Sequence, residues 1–200
     1  MSNDESLIKA LNKRQGAIKK ITRVASFKSR KMLANGIFMS KLIYLMPVWA
    51  GCEDYLVKAL QVAQNKVARS VTKRDFSTPT KVLMKECGWL PVRQLMVYHS
   101  IIQFHKTIQQ KTPVYLYNRV SSQLDQLDSR SNYNYKTRQQ ATGMLRQIPG
   151  GEAKLDLAER SWCWRAATTY HSLPGSLKLA NNLSKFKKEL KTWVTSNIEF

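Results

Sequence analysis

The chain has 200 residues, 43% of them apolar and 10% aromatic, which is enough to bury one core or two small ones and excludes wholesale disorder. Its 33 Lys and Arg stand against 13 Asp and Glu, a formal net charge of +20. A folded domain this basic repels itself unless something anionic lies near, so nucleic acid or an acidic membrane surface is the expected class of partner, with a merely solvated basic surface as the alternative.

The first helix is expected to start at Ser2 or Asn3, with Asp4 and Glu5 at its positive end. Leu7, Ile8, Leu11, Ile18, Ile21 and Val24 follow a helical period and form its apolar stripe. A second helix runs from about Ser26 to Leu45, apolar on most sides and therefore central, with Asn35-Gly36 as a kink or break inside it. Pro47 ends it. The run Ile37 to Ala50, interrupted by Lys41 and Pro47, is too short to cross a bilayer, which takes about 20 apolar residues, so no spanning segment is expected, and of the two anionic partners nucleic acid is expected and a membrane is not. The acidic start also lacks the order of a signal peptide.

Glu53-Asp54 open a third helix with a core stripe of Leu56, Leu60, Ala63, Val67 and Val71. Thr78-Pro79 reads as an N-cap and first-turn proline of a short helix that Gly88 stops. Trp89 to Val92 turn the chain into a longer helix through Leu95, Tyr98, Ile102 and Ile108, followed by Pro113 and a short helix from Tyr115 to about Leu127. From Asp128 to Gly151 Ser, Asn, Gln and Gly dominate and no apolar period holds, the mark of a linker or long loop. Beyond it, Leu157 to Tyr170 is a helix with Trp162 and Ala166 on one face, Leu173-Pro174-Gly175 is a turn, and Phe186, Leu190, Trp193 and Val194 define a last amphipathic helix. The fold class is all-α: a helical bundle over 1–127, a polar and basic linker over 128–151, and a small helical tail over 152–200.

Chemistry-bearing motifs are lacking. Two-metal polymerase chemistry needs clustered carboxylates, and the chain has no Asp-Asp pair; Asp4-Glu5 and Glu53-Asp54 sit where helix N-termini favour negative charge. His99 and His105 are six apart and share no helix face as an i, i+4 metal pair would. Cys52, Cys87 and Cys163 are odd in number and far apart, which argues against a disulfide framework or zinc site and fits a reducing compartment. No catalytic residue, metal or cofactor is expected.

The positive signal is for binding. From Lys9 to Lys31 nine basic residues occur without one acid: Lys9, Lys13, Arg14, Lys19, Lys20, Arg23, Lys28, Arg30 and Lys31. Solvated helix faces usually mix signs for i, i+4 pairing, so this run reads as a stripe that tracks phosphates. Lys66 and Arg69 add basic charge on the third helix. Tyr133 and Tyr135, beside Lys136 and Arg138, are candidates for stacking on unpaired bases, the alternative being tyrosines that cap a core. Lys185, Lys187, Lys188 and Lys191 form a weaker patch on the last helix. The five tryptophans read as core anchors.

The stretches Phe27-Lys28-Ser29-Arg30 through Ser40-Lys41-Leu42-Ile43-Tyr44, and Pro47-Val48-Trp49, resemble the region after the palm of non-LTR (LINE-type) retrotransposon reverse transcriptases. Gln61-Val62-Ala63-Gln64-Asn65-Lys66-Val67-Ala68-Arg69 is similar to that family's Q-x-x-QNKxxR helix, and Thr78-Pro79-Thr80 and Cys87-Gly88-Trp89-Leu90-Pro91-Val92 to the segments after it. Tyr133 to Arg138 and Leu183 to Val194 resemble the tail of many such elements, which departs here at Tyr170-His171. The resemblance implies a thumb-like helical region and C-terminal extension that grip primer–template and element RNA, with the palm and endonuclease before residue 1. It implies a non-catalytic role, a palm supplied in trans as a further partner, and an intracellular location, nuclear or in a cytoplasmic ribonucleoprotein. The alternatives are an interaction or scaffold module exposing an apolar patch beside Leu42, Leu45 and Trp49, or an inert remnant of a truncated element.

Overall fold

The computed structural model describes residues 3–21, 24–44, 46, 52, 54–110, 114–118, 162–178, 180 and 182–198. Among them the chain is all-α, and no helix is long and apolar enough to cross a membrane. Two compact units are formed, one from Met1–Met96 with Ile198–Phe200, the other from Val97–Asn197. The division falls inside a helix; the expected linker, residues 128–151, and the helix end expected near Leu127 lie outside the described residues.

In the first unit α1 spans Asn3–Ile21 and buries Leu11 and Ile18. Val24, expected on the same stripe, is 97% exposed, because the helix has ended and the chain is turning toward the next cap. α2 (Phe27–Ala34) begins at Ser26, whose side-chain oxygen accepts from the Ser29 amide at 3.3 Å. The break expected at Asn35-Gly36 takes the form of a π-helical stretch, Asn35–Met39, before α3 (Ser40–Ile43). Asn and Gly hold an α-helix weakly, and the wider turn leaves carbonyls to be met by side chains. Ser40 Oγ donates to the Gly36 carbonyl and Arg14 Nη1 to that of Ile37 at 2.7 Å.

α4 (Asp54–Thr72) packs on α1, α2 and α5 (Thr80–Cys87). All five residues of its expected stripe, Leu56, Leu60, Ala63, Val67 and Val71, are buried. Phe38, Met39 and Leu42 from the second helical stretch, and Leu83, Met84 and Cys87 from α5, are buried in the same unit. The α5 cap lies one residue later than Thr78: Pro79 is the extended residue before the helix. Gly88 ends α5 at φ +67°, a left-handed conformation that glycine adopts without strain.

Three polar side chains of α4 tie it to α5 and to the segment after Gly88. Gln64, fully buried on the apolar face, donates to the Leu90 carbonyl at 2.9 Å. Gln61 donates to Gln64 Oε1 at 3.0 Å and to Asn65 Oδ1 at 2.9 Å, and its own oxygen accepts from the Val92 amide at 2.8 Å. Asn65 donates to Thr80 Oγ1 at 2.9 Å. Trp89, expected to be a core anchor, is half-buried and donates from Nε1 to Asn35 Oδ1 at 2.8 Å.

α6 (Val92–Gln110) gives its first turn to the first unit and its remainder to the second. The second unit adds a helical turn at 114–118, then α7 (Trp162–His171), α8 (Gly175–Lys178) and α9 (Leu183–Asn197). Asn182 Oδ1 caps α9, accepting from the Ser184 amide at 2.8 Å. Phe186, Leu190 and Val194 bury the expected face of α9 together with Ile101, Phe104, Ala166, Tyr170, Leu173 and Leu177. The Phe104 ring lies 5.2 Å from Tyr170 and 6.0 Å from Trp162. His105 stacks on Phe186 at 3.8 Å, and its Nδ1 is 3.1 Å from the Tyr170 hydroxyl.

Candidate nucleic-acid interface

α1 sorts its charges by helical period. Lys9, Lys13 and Lys20 recur at spacings of four and seven and so share one face, opposite that of Leu11 and Ile18. All three are exposed, as is Lys19 toward the helix flank. The Lys9 to Lys20 span is about 16 Å at the helical rise of ~1.5 Å per residue. Lys28 is exposed on α2 and Lys31 half-buried beside Gly88, where an added Cβ would lie 3.5 Å from Lys31 Nζ. Arg23 lies outside the described residues.

Two of the arginines expected on this stripe are engaged within the fold. Arg30 is buried; its Nε donates to the Val71 carbonyl at 2.7 Å and its Nη1 to the Ala25 carbonyl at 2.9 Å. Val71 lies in the last turn of α4, where carbonyls have no helical partner and the helix dipole is negative, so a buried guanidinium is the fitting cap. Arg30 is thus a structural residue and does not extend the stripe. Arg14 is half-buried and committed to the π-helical carbonyl of Ile37.

On α4, Lys66 is exposed, whereas Arg69 is half-buried. Its guanidinium sits 4.9 Å from the Phe76 ring centroid, its Nη2 reaches the Thr78 carbonyl at 3.5 Å, and its buried Nε finds no partner. The outer face of α4 also carries Tyr55, Lys58 and Val62, none of which the basic pattern singled out, and Lys73 comes just after the helix end. Tyr55 and Phe76 are aromatic and exposed, but in a linear sequence nothing separates them from core aromatics.

On α9, Lys188 and Lys191 are exposed, while Lys187 is half-buried and acts on His99. Burial and then the Lys187 charge push His99 down to about 4. Burial also lowers His105, against a hydrogen bond to the Ala180 backbone. Both imidazoles are therefore neutral at pH 7 and add no positive charge. Tyr133, Tyr135, Lys136 and Arg138 lie outside the described residues.

Among the described residues, three acids pair with basic side chains. Glu86 pairs with Arg74 at 3.2 Å, Asp54 with Arg93 at 2.7 Å and Glu189 with Lys185 at 3.9 Å, all at the surface. Among the described residues no three His, Cys, Asp or Glu side chains gather to hold a metal ion. Burial pushes the Cys87 thiol up to about 11, ahead of the opposing Lys31 charge, so it stays protonated near neutrality. Leu42, one residue of the apolar patch expected for a scaffold module, is buried; Leu45 and Trp49 lie outside the described residues.

No protein-family model, curated protein or solved structure matches the chain.

Proposed function

We propose that the chain binds nucleic acid through exposed lysines that contact phosphates, in the role of the thumb and C-terminal extension of a non-LTR retrotransposon reverse transcriptase. The observation that carries this reading is the α1 face of Lys9, Lys13 and Lys20, exposed opposite the buried Leu11 and Ile18 within an acid-free run of sequence. Mixed-sign pairing would serve solubility better, and like charges at i, i+4 repel by a few tenths of a kcal/mol per pair unless an anion lies between them. The net charge of +20 and the ordered resemblance of segments from Phe27 to Val194 support the same reading. The role is a gripping one, with chemistry supplied by a palm.

The test is fluorescence anisotropy of a labelled RNA stem-loop and a matching DNA duplex titrated with the chain across a salt series. Affinity should fall steeply with salt, with a slope of about −0.9 per phosphate contact on duplex DNA. Absent or salt-insensitive binding would refute the proposal and leave the charge as surface solvation.

A further inference from the structure

The outer face of α4 carries more than charge. Tyr55, Val62 and Arg69 recur at spacings of seven residues, about 10 Å apart along the helix, on the side opposite Leu56, Leu60 and Val67. Lys58 and Lys66 lie between them, and Lys73 stands at the end. From Tyr55 to Arg74 the sequence has five basic residues and no acid. At the near end Asp54 is tied to Arg93, and beyond the far end Glu86 is tied to Arg74; exposed Asp75 is the acid next to Phe76.

The far end is closed by Phe76, 86% exposed. Such a ring on a free turn would rotate and fold onto the nearest apolar surface. Here the Arg69 guanidinium lies against it at 4.9 Å, and that arginine is itself held by the Thr78 carbonyl. The pairing orients the ring while leaving most of it open. Tyr55, 61% exposed, presents a second ring at the other end.

We propose that this face, bounded by Tyr55 and Phe76, holds an unpaired nucleic-acid strand, its bases stacked on the two rings and its phosphates on Lys58, Lys66 and Lys73. Open aromatic faces interleaved with lysines fit unstacked bases, whereas a duplex offers its phosphates and keeps its bases stacked inside. The lysines on this face repel a basic peptide. The inference rests on the nucleic-acid reading above and adds which form of nucleic acid this face takes.

The test uses the full chain, an unstructured oligouridylate of about 12 nucleotides and a duplex of about 12 base pairs, a length within the known site sizes of stacking platforms. Phe76→Ala and Tyr55→Ala should each weaken oligouridylate binding about tenfold and leave duplex binding within about twofold. Phe76→Tyr, which keeps the ring, should retain the oligouridylate affinity, and thermal melting should shift by no more than a few degrees in all three because both rings are exposed and an exposed cation–π contact contributes at most about 1 kcal/mol. Equal loss for strand and duplex, or loss for neither, would overturn the strand assignment while leaving the phosphate-binding reading intact. Failure of the unaltered chain to bind either probe would overturn both.

Discussion

Arg30 donates from Nε to the carbonyl of Val71 at 2.7 Å, so a charge from one helix closes the C-terminus of another 41 residues away. Because the guanidinium is buried and also serves the Ala25 carbonyl, Arg30→Ala should destabilise the first unit by about 3 kcal/mol, from losing two charge-assisted hydrogen bonds and stranding two acceptors. Arg30→Lys should recover less than half, since an ammonium cannot reproduce the planar fork. Denaturant unfolding measures both. Nucleic-acid affinity of the folded fraction should stay within about twofold, whereas Lys28→Gln, an exposed change, should leave stability alone.

Gln64 makes a parallel prediction about specificity of packing. It is fully buried and donates to Leu90, while Gln61 donates to it. Gln64→Leu keeps the volume but strands the Leu90 carbonyl and one Gln61 hydrogen, a cost of about 1–3 kcal/mol. Gln64→Glu should cost more at pH 7, where a carboxylate faces a carbonyl, and should recover part of that cost in acid, where the carboxylic acid donates to Leu90. A stability–pH series on the two variants separates a working hydrogen bond from mere space filling.

These two residues also mark where the sequence stops being readable. Leu56, Leu60, Ala63, Val67 and Val71 announce the core face of α4 because burial repeats with the helix. Gln61, Gln64 and Asn65 interrupt that face with groups whose partners, Leu90, Val92 and Thr80, are set only by the tertiary fold. Arg30 stands in a run of basic residues and has no local sign that it differs from Lys28. Asn35-Gly36 signals a break, but nothing local says that the break is π-helical or that Arg14 reaches the Ile37 carbonyl within it. At the candidate interface the α1 lysines are legible from spacing alone. Phe76 is not, because its meaning comes from the Arg69 guanidinium laid against it.

The α1 face can be separated from bulk charge. Lys9, Lys13 and Lys20 are exposed on one side, so replacing all three with Gln should leave thermal melting unchanged. If each contacts a duplex phosphate, the magnitude of the salt slope on DNA should fall by about 2.7, from about 0.9 per contact. Replacing Lys81 and Lys85, exposed on α5 and outside every expected patch, is the control and should change the slope by less per substitution. Equal effects would mean diffuse attraction without a defined face.

Acid should act first on the second unit. His99 is held down at about 4 by burial and by the Lys187 charge, and His105 is lowered by burial where it stacks on Phe186 beside Tyr170. A histidine whose folded value lies below its ordinary value of about 6.5 binds its proton more readily when unfolded. Its stabilising contribution is therefore complete above about pH 6.5 and is lost as pH falls from there toward about 4. For His99 the loss is at most roughly 3 kcal/mol. Thermal melts at about pH 7.5 and about pH 4.5, with hydrogen exchange tracked along α7 and α9, should show these helices loosening in acid before α4. His99→Asn should flatten that dependence, and Lys187→Gln should weaken it by relieving the repulsion. A first unit that loosens before the second, or an unchanged profile in His99→Asn, would mean that acid acts through carboxylates and general charge repulsion instead.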